Sequence, residues 1–130
     1  MTKYILVGGY PDKAPDKGKA FCEEIIKGFK KSIRILDCIF ARPRETWKEV
    51  FTDDKAFLGN HLPNRRLEIQ LADPDQFLEQ IKWANAIYLR GGRTSQLIDL
   101  LNQNIRWNEE LDGKTLAGTS AGANAIAKYY

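Results

Sequence analysis

Short apolar runs alternate with longer amphipathic segments along this chain, and that alternation restricts its fold more than any other feature. Apolar or β-branched runs bounded by turn residues are typical of strands, whereas apolar residues three or four apart indicate helices. Five strands are predicted on these criteria, at residues 4–7, 33–40, 67–71, 86–89 and 114–117. Helices are predicted at residues 19–30, 45–58, 73–83 and 94–101, with a weaker one at 104–111 and a last one after Gly122.

Strands that alternate with helices predict an α/β fold. We expect a mostly parallel five-stranded sheet with helices on both faces, arranged as a three-layer sandwich. The 130 residues suit one domain, residues 1–130. Two helix starts carry capping signals: Asp73 and Gln76 flank Pro74 as in a capping box, and Thr94 is placed to cap the next helix.

The composition narrows the classes of protein and of partner. Hydrophobic residues make up 43% of the chain, yet no apolar run approaches the roughly 18 residues of a membrane helix. The first apolar run is too short for a signal peptide, so we expect a cytoplasmic protein with no membrane partner. The net charge of +3 arises from 20 basic and 17 acidic residues whose basic pairs are scattered, which argues against nucleic acid.

Several groups are interpreted as structural. No Cys, His and carboxylate cluster has metal-ligand spacing, and the dinucleotide and phosphate-loop fingerprints are absent, so no metal and no cofactor are expected. Cys22 and Cys38 are interpreted as small buried hydrophobes. The charged residues expected on the solvated surface are Lys30, Lys31, Arg42, Arg44, Asp53, Asp54, Arg65 and Arg66.

Three glycine-rich turns each follow a predicted strand. They are Gly8-Gly9, Gly91-Gly92 and the segment from Gly118 to Gly122. Ligands of parallel sheets bind outside the carboxyl ends of the strands, where these turns would meet. The turns therefore mark the predicted functional edge of the sheet.

The segment Gly118-Thr119-Ser120-Ala121-Gly122 is a G-x-S-x-G motif between a predicted strand and a predicted helix. A nucleophile on a sharp strand-to-helix turn needs small neighbours, and the following helix directs free N–H groups at the same point. Ser120 is therefore a candidate nucleophile, with the N–H of Ala121 facing a developing oxyanion. The alternative interpretation is a glycine turn that only packs a helix on a strand.

Two stretches and the opening strand carry a family resemblance. Residues 86–97, with Arg90-Gly91-Gly92-Arg93-Thr94, and residues 116–124 are similar to the peptidase E and cyanophycinase family of serine peptidases. The family has a fold like that of class I glutamine amidotransferases. The resemblance implies Ser120 as nucleophile, an oxyanion hole from the N–H groups of Gly92 or Gly91 and of Ala121, and Arg93 and Thr94 near the substrate. It also implies a small peptide substrate, which peptidase E cleaves after an N-terminal Asp.

The chain departs from that family in two ways. Arg93 stands where the family commonly has Asn, and no histidine follows Ser120, although the family's catalytic histidine does. His61 is the one histidine, in a predicted exposed loop at residues 59–65, and Lys128 is expected on the surface. We expect an N-terminal portion of a longer peptidase. A catalytically inactive binding domain, or a C-terminal piece supplied by another chain, are the alternatives.

A domain without the family's later elements should expose apolar surface near its last strand and helix. Such a patch predicts self-association or binding of the missing C-terminal piece. The competing possibility is that the last helix covers the strand and leaves a compact monomer. The residues expected in the patch are Leu116, Ala117, Ala123, Ala125, Ile126, Tyr129 and Tyr130.

Overall fold

A computed structural model describes the chain except for Lys31, Ile105, Tyr130 and the side chain of Tyr129. Its strands follow the predicted apolar runs closely, and its helices occupy the intervals between them. The strands are β1 (Lys3–Val7), β2 (Ser32–Cys38), β3 (Arg66–Leu71), β4 (Ala86–Leu89) and β5 (Thr115–Thr119). The helices are α1 (Lys19–Ile26), α2 (Trp47–His61), α3 (Phe77–Trp83), α4 (Thr94–Asn102) and α5 (Ala121–Tyr129).

The five strands form one parallel sheet in the order β1-β5-β4-β2-β3. Cys38 pairs with Leu89, and Leu89 pairs with Gly118, so β2, β4 and β5 end side by side. This confirms the predicted α/β sheet. It also brings the turns after these three strands to one edge.

Helices cover both faces of the sheet. On one face, Ile35, Tyr88 and Ala117 pack with α1 and the second half of α2. On the other, Leu36, Leu89 and Leu116 pack with α3, α4 and α5. The alternation follows from the strand period of two residues, since neighbouring side chains point to opposite faces. Within the described ranges, no helix has both the length and the apolar character to cross a membrane.

Local details differ from the sequence-based prediction where side chains compete with helix hydrogen bonds. Residues 73–76 form a turn before α3, because Asp73 Oδ1 accepts from Asp75 N at 2.9 Å and Gln80 Oε1 accepts from Asp73 N at 2.8 Å. Thr94 is the first residue of α4 and makes no cap; Arg93 precedes it without a side-chain capping bond. The weak helix at 104–111 is a 3₁₀ helix, Trp107–Glu110.

Several of the residues expected in an exposed apolar patch are buried. Leu116, Ala117, Ala125 and Ile126 are at most 2% exposed, because α5 folds back over β5 and the edge of β1. The side chain of Tyr129 and all of Tyr130 lie outside the described residues. The large apolar side chains that remain exposed near this edge belong to β1: Tyr4 at 42% and Leu6 at 53%.

Candidate active site

Ser120 lies at the junction of β5 and α5. Its φ of +52° is in the left-handed region, which strains a residue with a side chain. The junction is fixed on both sides: Ser120 N donates to Val7 O at 2.8 Å, and Ser120 O accepts from Asn124 N at 3.1 Å. The side chain is half-buried. The first N–H groups of α5, starting with Ala121, have no acceptor within the helix and point to the same end.

The two outer glycines of the motif are required by close packing. A Cβ on Gly122 would lie 2.0 Å from Leu89 O, and one on Gly118 would lie 2.6 Å from Gly122 C. No side chain fits at either place without a shift of the backbone, since a Cβ atom essentially never lies closer than 3.0 Å to a non-bonded heavy atom. The motif therefore brings α5 unusually close to β4 and β5, and Ser120 occupies the turn between them.

The turn after β4 lies directly against Ser120. Gly91 is buried, its N–H donates to Thr119 Oγ1 at 3.2 Å, and a Cβ on it would lie 2.9 Å from Ser120 Cβ. Gly92 is exposed, with φ of +151°, and a Cβ on it would lie 2.6 Å from Ala41 O. The Gly91 N–H thus has an acceptor inside the protein. Among the described residues no backbone acceptor takes the Gly92 N–H.

Arg93 faces a different part of the surface, and Thr94 begins the next helix. Arg93 N donates to Ala41 O at 2.8 Å, and its exposed side chain lines a separate cavity with Arg44 and Trp47. Thr94 is half-buried at the start of α4.

A cavity of about 400 Å³ opens beside the elbow. Tyr10 lines the cavity and also lies near the elbow. A Cβ placed on Gly91 would be 3.5 Å from Tyr10 Cε1 and 2.9 Å from Ser120 Cβ. The cavity combines aromatic walls with several charged groups. Its lining residues are Tyr10, Pro11, Asp12, Lys13, Arg42, Asp53, Asp54, Phe57, Tyr88 and Arg90.

A buried ion pair forms part of the cavity wall. Arg90 Nε donates to Asp54 Oδ2 at 2.9 Å, and the two side chains are only 15% and 5% exposed. The expectation of a solvated Asp54 is therefore wrong, because α2 turns this residue toward the end of β4. Arg42 is also not a simple surface residue: it is half-buried, and its Nε donates to Gly91 O at 2.6 Å. Arg65 likewise donates from Nη2 to Phe29 O at 2.9 Å.

Behind the ion pair lies Asp37, on β2 beside Tyr88 of β4. Its carboxyl is fully buried, and neither oxygen accepts a hydrogen bond from the described part of the chain. Burial, then the neighbouring Asp54, raises the pKa of Asp37 well above its ordinary value, although Arg90 opposes this. A protonated Asp37 can itself donate to the Asp54 carboxylate. An Asp inside a largely apolar strand is a sequence signal for Asp37, but not for its partners Asp54 and Arg90.

The histidine of the chain does not belong to this cavity. His61 is the last residue of α2, half-buried rather than in an exposed loop, since α2 extends three residues beyond its predicted end. Its ring packs edge-on against Phe57, with ring centroids 5.2 Å apart. Lys128 is exposed in the last turn of α5. Among the described residues, no group of three His, Cys, Asp or Glu side chains could hold a metal ion.

Comparison with known proteins shows the family of this chain. The sequence model of peptidase family S51 matches residues 40–130, which include the Gly91-Gly92 turn and the segment from Gly118 to Gly122 with Ser120. The chain belongs to peptidase family S51. A search of curated proteins found no match.

Two solved structures resemble the whole described fold. A candidate peptidase E protein from Listeria monocytogenes EGD-e has a TM-score of 0.70 at 20% identity over 95% of this chain. A peptidase from an acI-B1 Actinobacterium has a TM-score of 0.61 at 27% identity over 92% of this chain. The S51 chain spans only 60% and 54% of the lengths of these two proteins.

Proposed function

We propose that this S51 chain carries the nucleophile and the oxyanion hole of a cytoplasmic serine peptidase. The observation that supports this most is Ser120 at φ of +52°, between β5 and α5, with the Gly91-Gly92 turn against it. In this arrangement Ser120 Oγ attacks the scissile carbonyl carbon. The N–H groups of Ala121 and Gly92 then stabilise the oxyanion that forms. Gly91 is the less suitable donor because its N–H already has Thr119 Oγ1 as acceptor.

The cavity supports a small peptide with an acidic N-terminal residue as substrate. The cavity is lined by Lys13, Arg42 and Arg90 and by an equal number of carboxylates, those of Asp12, Asp53 and Asp54. A guanidinium group can bind a carboxylate through two parallel N–H donors, so Arg42 and Arg90 suit a ligand that carries a carboxylate. Arg90, at the end of β4, provides a planar donor group for the carboxylate of the ligand, while Asp54 holds the Arg90 guanidinium through Nε.

Covalent labelling tests the nucleophile. A neutral alkyl fluorophosphonate forms a bond to an activated serine oxygen with loss of fluoride, which intact mass spectrometry detects. We expect one adduct on the wild-type chain, mapped to Ser120 and formed slowly because the described residues place no histidine base beside it, and none on Ser120→Ala. Ser95→Ala is the matched control, because Ser95 is an exposed serine at the start of α4. Labelling that persists in Ser120→Ala would contradict the proposal.

The described residues place no histidine beside the elbow, and this favours a second candidate function, a binding domain that retains the pocket without turnover. Serine is a weak nucleophile without an adjacent base, and His61 packs on Phe57 instead. In the peptidase proposal, the base comes from the portion that longer relatives possess in addition.

We therefore expect hydrolysis of Asp-X dipeptides by the 130 residues alone to be several powers of ten slower than by an ordinary peptidase. A fluorophosphonate adduct at Ser120 with such slow turnover supports the nucleophile portion. Dipeptide binding without any adduct supports the binding domain. Rapid turnover that Ser120→Ala abolishes would contradict both, since it requires a base within this chain.

A further inference from the structure

The side chain of Arg42 contacts the glycine turn after β4. Its Nε donates to Gly91 O at 2.6 Å, a charge-assisted hydrogen bond from a half-buried guanidinium. The Gly91–Gly92 peptide bond is trans, so its C=O and N–H point in opposite directions. A group that holds the Gly91 oxygen therefore also sets the direction of the Gly92 N–H.

The turn that carries Arg42 is itself held in place. The carbonyl oxygen of Arg42 accepts from Trp47 Nε1 at 2.8 Å and from Gln96 Nε2 at 2.7 Å, and these bonds hold the turn against α2 and α4. The preceding carbonyl, of Ala41, accepts from Arg93 N at 2.8 Å and lies 2.6 Å from where a Gly92 Cβ would be. The turn that carries Arg42 therefore contacts the glycine turn at two places. The Arg42 side chain holds the Gly91 oxygen, and the Ala41 carbonyl lies close to Gly92.

We propose that Arg42 is a positioning residue for the oxyanion hole: its bond to Gly91 O directs the Gly92 N–H toward the carbonyl oxygen attacked by Ser120. This rests on the proposed function. The same bond polarises the peptide, and a peptide whose C=O accepts a hydrogen bond has a better N–H donor. Arg42 acts through the backbone and touches no reacting atom in this role.

Other residues near the turn do not offer this contact. Arg93 faces a different cavity, and the side chain of Arg44 stacks over Trp47 at 4.9 Å. Arg44 is therefore a matched control. It is an arginine two positions away, exposed, and outside the cavity beside Ser120.

The first measurement is the rate of Ser120 labelling in the full 130-residue chain, with the neutral alkyl fluorophosphonate as probe. Removal of one oxyanion donor lowers rates by about 10²- to 10³-fold, so we expect misdirection of one to lower the maximal labelling rate of Arg42→Gln about 10- to 100-fold. The probe has no carboxylate, so its half-saturating concentration should stay within about twofold, whereas a collapsed pocket would raise it. Arg42→Lys should recover part of the rate, and Arg44→Gln should match the wild type.

The second measurement does not depend on reactivity. In NMR spectra, Arg42→Gln should move the Gly91 carbonyl carbon and the Gly92 amide signals, while Arg44→Gln should leave both in place. Equal labelling rates for Arg42→Gln and Arg44→Gln, or unmoved Gly91 and Gly92 signals in the folded Arg42→Gln chain, would overturn the positioning role. A wild-type chain that takes no label contradicts the proposed function instead, and the NMR comparison then decides the role of Arg42 alone.

Discussion

At the scale of a single residue, the fold holds Ser120 in a backbone conformation that residues with a side chain disfavour. A residue with a side chain at φ of +52° is less stable than glycine there by about 1 kcal/mol. We therefore expect Ser120→Gly to raise the free energy of unfolding relative to Ser120→Ala, and both to lose fluorophosphonate labelling. Urea denaturation of the two variants measures the difference. A Ser120→Gly chain that unfolds more readily than Ser120→Ala would show that the turn is not strained.

Asp37 adds a pH dependence at the same scale. Its pKa is raised in the folded chain by burial and by Asp54, so the native state keeps a proton that the unfolded chain releases above about pH 4. Stability from this group is complete below that pH and is lost as pH rises toward the raised pKa, by at most about 1.4 kcal/mol per pH unit. Arg90 and Tyr88 also face this carboxyl.

The substitution Asp37→Asn should remove this loss of stability at higher pH. We expect its stability relative to the wild type to increase from pH 5 to pH 8 in urea denaturation, because the amide stays neutral throughout. Asp53→Asn makes the same chemical substitution at an exposed position beside Asp54 and should run parallel to the wild type. A constant difference between Asp37→Asn and the wild type over this range would mean that Asp37 titrates normally.

At the scale of elements, the features that could be predicted from the sequence are those that depend on a local pattern of residues. The five strands, the elbow at Ser120 and the pairing of two glycine turns follow from apolar runs and small residues. The cluster of Asp37, Asp54 and Arg90 could not be predicted, because the burial of Asp54 depends on which face α2 turns to the sheet. The contact of Arg42 was missed for a similar reason. It joins turns 49 residues apart, and a charged pair on a loop resembles ordinary surface.

The packing of α5 on β4 gives a prediction about elements. A Cβ on Gly122 would meet the backbone oxygen of Leu89 at 2.0 Å, so Gly122→Ala must push α5 away from the sheet. We expect a loss of about 2 kcal/mol or more in the free energy of unfolding, typical of overpacking against rigid backbone. Gly59→Ala is the control. Gly59 lies in α2 with open space around its Cα, and alanine there should stabilise by about 0.5–1 kcal/mol. Equal effects of the two substitutions in thermal denaturation would contradict the close packing.

At the scale of the whole molecule, the sheet has two unlike edges. β3 alternates exposed polar side chains with half-buried apolar ones, as edge strands that resist association do. β1 pairs with β5 alone and exposes Leu6 at 53% and Tyr4 at 42% on the face that α5 covers only in part. In parallel sheets both faces are normally covered, so β1 is the element of this chain best suited to associate.

We propose that a second copy of the chain covers β1 at high concentration. Light scattering over a concentration series should show a rising mean mass for the wild type. Leu6→Lys should stay monomeric, because a lysine on the exposed face of an edge strand disfavours pairing. Gln70→Lys, which adds the same charge to the exposed face of β3, should associate like the wild type. A wild-type chain that stays monomeric throughout would show that β1 is no interface between copies, and would favour the compact monomer in which α5 gives the sheet sufficient cover.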